Sequence, residues 1–163
     1  MRFGLQLGNV GDLPQLLNRY DRELDDVRSI LGDVCGALAS ATSAEFVVSG
    51  FGQERWPVDV QFDLPIFLDQ LPGAVSALAS RKPFVLDFYE QGVERSVCFE
   101  CCDDVCVARC ESRTDWRPAP EIEQVARMEL LGMLLDFKRE FVCLLERVYP
   151  HLSRHPWIAG WER

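Results

Sequence analysis

Lysine and histidine are scarce in this chain. Among its basic residues only Lys82 and Lys138 are lysines, and its only histidines are His151 and His155. That pair is four residues apart, a spacing that would suit zinc on a helix, but Pro150 and Pro156 argue against a helix there and no HExxH surrounds it. Capping or packing beside Trp157 is the expected role. Serine nucleophiles are lacking too: none of Ser49, Ser76, Ser80 or Ser96 sits in a GxSxG elbow. Gly50-Phe51-Gly52 falls short of a phosphate loop, because a dinucleotide or P-loop site needs a strand, a glycine turn and a helix N-terminus in succession. Long apolar runs are missing. Met128 to Leu135 is the most apolar type of stretch, and a bilayer needs about 20 such residues. The N-terminal MRFGLQLGNVGDLPQLL has one basic residue, a short apolar run and then acids, unlike a secretory signal. Repeats, low-complexity tracts and Pro/Gly/Ser linkers are absent. These absences exclude the common catalytic signatures. The expectation is a cytoplasmic chain that is not an enzyme and uses no cofactor and no metal.

Acidic residues and cysteines are what the chain has. Its 163 residues fit a single domain over 1–163, large enough to be stable without a metal or a disulfide. Seven cysteines, an odd number without an export signal, point to reduced thiols. The net charge is −9. Residues 45–112 hold 5 basic and 12 acidic side chains, a net of −7, whereas residues 113–163 are balanced at 8 and 8. Such a field repels nucleic acid and anionic lipid and attracts a basic partner.

Periodicity gives an α+β order. Residues 2–7 alternate as a short strand. From Asp12, a fitting N-cap, to about Ala41 one helical face carries Leu13, Leu16, Leu17, Tyr20, Leu24, Val27, Leu31, Val34 and Leu38, with Gly32 and Gly36 weakening its end. Residues 45–51 read as a buried strand. Val58, Val60 and Phe62 alternate with Asp59, Gln61 and Asp63, which reads as a strand with one wet face. Leu64 to Ser80 is helical, kinked or split at Pro72-Gly73. Phe84–Tyr89 is a strand, and residues 94–102 and 105–111 form a hairpin about Asp103-Asp104. After a loop marked by Trp116, Pro118 and Pro120, a long helix is expected from about Glu121 to Tyr149, its core face set by Ile122, Val125, Met128, Leu131, Leu135, Phe141, Leu145 and Val148. The 151–163 tail is expected to pack back onto the domain. The resulting architecture is a mainly antiparallel sheet of about five to six strands with helices packed on one face and a long C-terminal helix.

Two clusters remain. In CFECCDDVCVARC a period of two places Cys98 and Cys102 on one face, and Cys101 on the other with Phe99, Cys106, Ala108 and Cys110. Cys101, Cys106 and Cys110 are therefore expected to be buried, reduced and free of metal. Asp59 and Asp63, about 13 Å apart along one strand face, are too distant for a glycosidase pair, which needs about 5–9.5 Å. A binding surface fits them better. Candidate partner-binding residues are Glu54, Arg55, Trp56, Asp59 and Asp63, with Asp103 and Asp104 at the hairpin tip: acids for encounter and a large aromatic for anchoring.

Size, acidity, α+β pattern and the lack of catalytic motifs together resemble the small acidic immunity proteins of bacterial polymorphic-toxin systems. The preponderance of arginine over lysine agrees with a GC-rich bacterial genome. The resemblance implies an inhibitor that neutralises a basic cognate toxin by direct binding, with no nucleic acid and no membrane involved. It carries no residue roles. The alternatives are an enzyme whose site assembles from residues distant in sequence, and a structural or regulatory subunit, for instance a homodimer.

Overall fold

The computed structural model describes residues 3–8, 26–148 and 150. Strands β1 (Gly4–Gly8) and β2 (Glu45–Ser49) form a two-stranded antiparallel sheet. Strands β3 (Phe84–Phe88), β4 (Arg95–Cys102), β5 (Val105–Ser112) and β6 (Ile122–Ala126) form a four-stranded antiparallel meander in that order. Helices α1 (Val27–Ala41), α2 (Asp63–Ala79) and α3 (Arg127–Val148) complete the α+β fold. The expected six strands are divided between two sheets, and one of them has changed place.

Helix α1 begins where local chemistry starts it. Asp26 is extended (φ −83°, ψ 162°), and its carboxylate accepts from the Ser29 amide at 2.9 Å. Helix α1 therefore starts after Asp26, and the earlier part of the helix expected from Asp12, with its Asp12 cap, lies outside the described residues. Gly32 and Gly36 do not break α1, because Ile30, Leu31, Val34, Cys35 and Leu38 make a continuous buried stripe. Helix α2 likewise runs unbroken through Pro72, held by buried Leu68, Leu71, Ala74 and Leu78 on both sides of it. Pro65 lies in the first turn, where a missing amide hydrogen costs nothing. The helix ends at left-handed Arg81 (φ 56°), with the Lys82 amide returning to the Ala77 carbonyl at 2.8 Å.

Two expected elements are corrected. Residues 58–62 are not a strand: the chain turns there, and Asp63 opens α2. Asp59 accepts from the Phe62 amide at 2.7 Å and Asp63 from the Asp59 amide at 2.9 Å, so two short acidic side chains wrap the backbone into a turn that no neighbouring strand could match. Residues 122–126 are a strand, not the first turn of α3. Ile-Glu-Gln-Val-Ala alternates exposed and buried, and it pairs with β5 from Val105↔Ala126 to Arg109↔Ile122. Over the first half of α3 the buried face lies one residue before the expected one, whereas Phe141 and Leu145 are buried as expected. Leu130, Leu134, Phe137, Phe141, Leu144 and Leu145 are buried, whereas Met128 is 61% exposed and Leu131 and Leu135 are only half-buried.

The core lies between the helices and one face of the meander. Phe137 of α3 meets both Phe46 of β2 and Phe67 of α2 edge to face, the Phe67 and Phe137 centroids 4.9 Å apart. On the sheet, Leu86, Phe88, Val97, Phe99, Cys106, Ala108, Cys110 and Val125 point into this core. The 151–163 tail and the side chain of Val148 lie outside the described residues.

Candidate functional site

The residues expected to bind a partner do not form one surface. Glu54 is exposed, and Arg55 is paired with Glu45 at 3.0 Å. Arg55 and exposed Asp59 line one shallow depression with Glu45. Trp56 offers nothing to a partner: it is 1% exposed, its indole N–H donates to the Gly50 carbonyl at 3.2 Å, and its ring meets Phe88 at 5.5 Å. Asp63 is buried as well, which removes the wet strand face it was to share with Asp59. Burial pushes its carboxyl up to about 6, with the charges of Asp59 and Glu90 adding to the rise, while the bond from the Asp59 amide pulls the other way. Asp103 and Asp104 stand exposed at the β4–β5 turn, as the hairpin reading requires.

Trp56 belongs to an internal polar assembly. Arg95, buried on β4, lies with its guanidinium 4.7 Å from the Trp56 ring centroid and 3.6 Å from that of Trp116, and donates to the Gln53 side chain at 2.7 Å. Buried Glu123 of β6 accepts from the Phe51 amide at 2.6 Å. Phe51 (φ 55°) and Gly52 (φ 84°) are the central residues of a turn closed by reciprocal Gly50–Gln53 bonds, a positive-φ pair as in type I′. A Cβ on Gly52 would stand 2.1 Å from the Ala119 carbonyl oxygen, which explains the glycine. The Gly50-Phe51-Gly52 motif thus uses an amide hydrogen to hold the protein's own carboxylate.

The cysteine expectation is corrected in part. The strand register places Cys101 directly opposite Cys106 as expected, and these two are disulfide-bonded instead of reduced. Facing residues beside a two-residue turn come close, here with Cα atoms 3.9 Å apart, so the hairpin itself brings the sulfurs together. Cys101 is half-buried; Cys106 and Cys110 are buried, and Cys110 remains a free thiol pushed up to about 12, chiefly by burial. Among the described residues no three of His, Cys, Asp and Glu gather as metal ligands would, and no helix is long and apolar enough to cross a membrane.

The other face of the meander has a different character. Across the strands, Val85, Cys98, Arg109 and Ile122 stand in one row, and Glu100, Val107 and Gln124 in the next. Val85, Val105 and Ile122 are large apolar side chains left exposed. Arg109 is paired with Glu121, and Asp87 with Arg113. Glu100 and Glu111, like Asp103 and Asp104 at the turn, have no ion pair among the described residues. Their field reaches Cys98, whose thiol is pushed up by burial first and then by Glu111 and Glu100. Alternation in the hairpin sequence would have assigned Glu100, Val107 and Glu111 to this face. That Val85 and Ile122 join them could not be read without the register of β3 and β6. Comparison of the chain with family models, with curated proteins and with solved structures finds no match.

Proposed function

We propose that this chain is a protein-binding inhibitor of the immunity type, neutralising a basic partner protein by direct binding on the outer face of its four-stranded sheet. One observation carries the reading: that face joins exposed aliphatic side chains (Val85, Val105, Ile122) to carboxylates with no ion pair among the described residues, Glu100 and Glu111 on the face and Asp103 and Asp104 at the adjoining turn. Exposed apolar patches rimmed by polar residues mark interaction surfaces. Unpaired carboxylates lose little on desolvation only when a cation meets them, which selects a basic partner and speeds its approach. The excess of acids in residues 45–112 supports the same choice.

The test is affinity capture from the native host with the wild-type chain and with the Glu100→Lys/Glu111→Lys variant. A basic protein retained by the first and lost by the second is the expected result. Equal retention by both, with the variant folded, removes this face from the proposal.

A further inference from the structure

A second concavity lies away from the sheet face. Phe62 at the start of α2, Ile66 and Asp69 within it, Tyr89 and Glu90 after β3, and Arg28 of α1 line a groove of about 320 Å³. This is the lower end of the range for small-ligand sites, about 300–1,000 Å³. Phe62 is 54% and Tyr89 50% exposed, two aromatic rings lining one groove. Glu90 has no ion pair among the described residues. Asp69 is engaged by Arg28 at 2.9 Å, but Arg28 is 76% exposed at its side chain, and such surface pairs hold weakly. Beside Phe62 in sequence, the buried Asp63 carboxylate has an Oδ1 with no hydrogen-bond partner among the described residues, and the charges of Asp59 and Glu90 reach it.

Chemistry narrows the occupant. An anion would meet Glu90 and Asp69, with the one lining cation, Arg28, beside Asp69. A wholly apolar ligand would strip water from carboxylates and give nothing back. A guanidinium satisfies both halves of the lining: it stacks on aromatic faces and bonds carboxylates through its planar fork, which an ammonium does less well. We infer that this groove is a recognition site for an arginine side chain of a basic protein or peptide. The inference rests on the same reading of a basic partner as the proposed function, but on a different surface.

The test uses the full chain, isotopically labelled, titrated with a blocked tri-arginine peptide and followed by amide and side-chain NMR. Saturable shifts should appear at residues 61–69 and 88–90. A blocked tri-lysine peptide should bind more weakly. Phe62→Ala and the conservative surface change Glu90→Gln should each weaken binding about five- to tenfold. Shifts confined to residues 98–111 would overturn the groove and leave the basic-partner reading standing; absence of shifts at both places would overturn both. Tighter binding of tri-lysine, or a concentration-dependent doubling of mass that Phe62→Ala abolishes, would also overturn the inference, the latter by assigning the groove to a second copy of the chain.

Discussion

The two faces of the four-stranded sheet treat polar groups in opposite ways. On the inner face Arg95 lies between two tryptophans with Gln53 as its acceptor, and Glu123 holds the Phe51 amide. Each of these buried charges meets at least one group of the same chain, although Arg95 Nε and Glu123 Oε2 have no hydrogen-bond partner among the described residues. On the outer face Glu100 and Glu111 face water beside Val85, Val105 and Ile122. Polar groups that a fold satisfies for itself maintain the fold. Groups with no ion pair among the described residues, next to apolar side chains left wet, are available to another molecule. The inner face should therefore answer mutation with lost stability, and the outer face with lost binding.

The largest effect belongs to the core beneath the inner face. Leu134→Ala should cost about 2–5 kcal/mol, the range for deleting a fully buried leucine. Its neighbour Leu135, half-buried, should cost less than about half as much on the same change. Chemical denaturation of both variants checks the order. Equal losses would show that α3 does not present the face described.

Arg95 comes next. Arg95→Ala removes two ring contacts and leaves the Gln53 amide oxygen unpaired, an expected loss of about 1–3 kcal/mol. Arg95→Met should recover part of it, because an apolar chain of similar length avoids burying a charge and keeps the packing. If the alanine variant is as stable as wild type, the tryptophan pair is not held by the guanidinium.

Asp63 makes a pH-dependent prediction. Its carboxyl, ordinarily near 3.8, is pushed up to about 6 in the folded chain, so between those values the folded state holds a proton that the unfolded state has released. Stability then falls as pH rises from about 4 to about 6. Asp63→Asn removes this dependence. The variant should gain on wild type across that window, by about 2–3 kcal/mol at its upper end, less whatever is lost in the bond to the Asp59 amide. Denaturation midpoints at pH 4 and pH 7 measure it. A gap that does not widen with pH would show that Asp63 titrates normally.

What the sequence made legible follows from which forces were local. The β4–β5 hairpin, its Asp103-Asp104 turn and the Cys101–Cys106 register were readable because alternation and a two-residue turn fix them within a dozen residues. The two misread segments failed at points where side chains bond to backbone. Residues 58–62 alternate like a strand, yet Asp59 and Asp63 bond nearby amides and wind the chain into α2. Residues 122–126 continue a helical period only if Glu123 faces water. In the structure Glu123 is buried, taken up by a turn 72 residues earlier in the chain. Of the expected binding residues, Trp56 carried the aromatic signal of an interface anchor, but its distant partners Arg95 and Trp116 hold it inside. Asp103 and Asp104 remain on the surface now proposed, and Glu100 and Glu111 join them through strand register.

The smallest effect on stability is the sharpest test of the comparison. Glu100→Lys/Glu111→Lys places two cations on the outer face, where neither wild-type carboxylate has an ion pair among the described residues. Substitutions at such exposed positions change stability by no more than about 0.5 kcal/mol. Glu111 lies on the same outer row as Ser96 and Asp87, and its replacement by lysine leaves the Asp87–Arg113 bond in place. Glu100 stands opposite Val107, so the new lysine can rest its methylenes on an aliphatic neighbour. The denaturation midpoint should therefore match wild type, while the rate of association with a basic partner drops at low salt and loses most of its salt dependence. A midpoint that falls by the amount expected for Arg95→Ala would make the outer face part of the fold's own stabilisation. The contrast between the two faces would then fail.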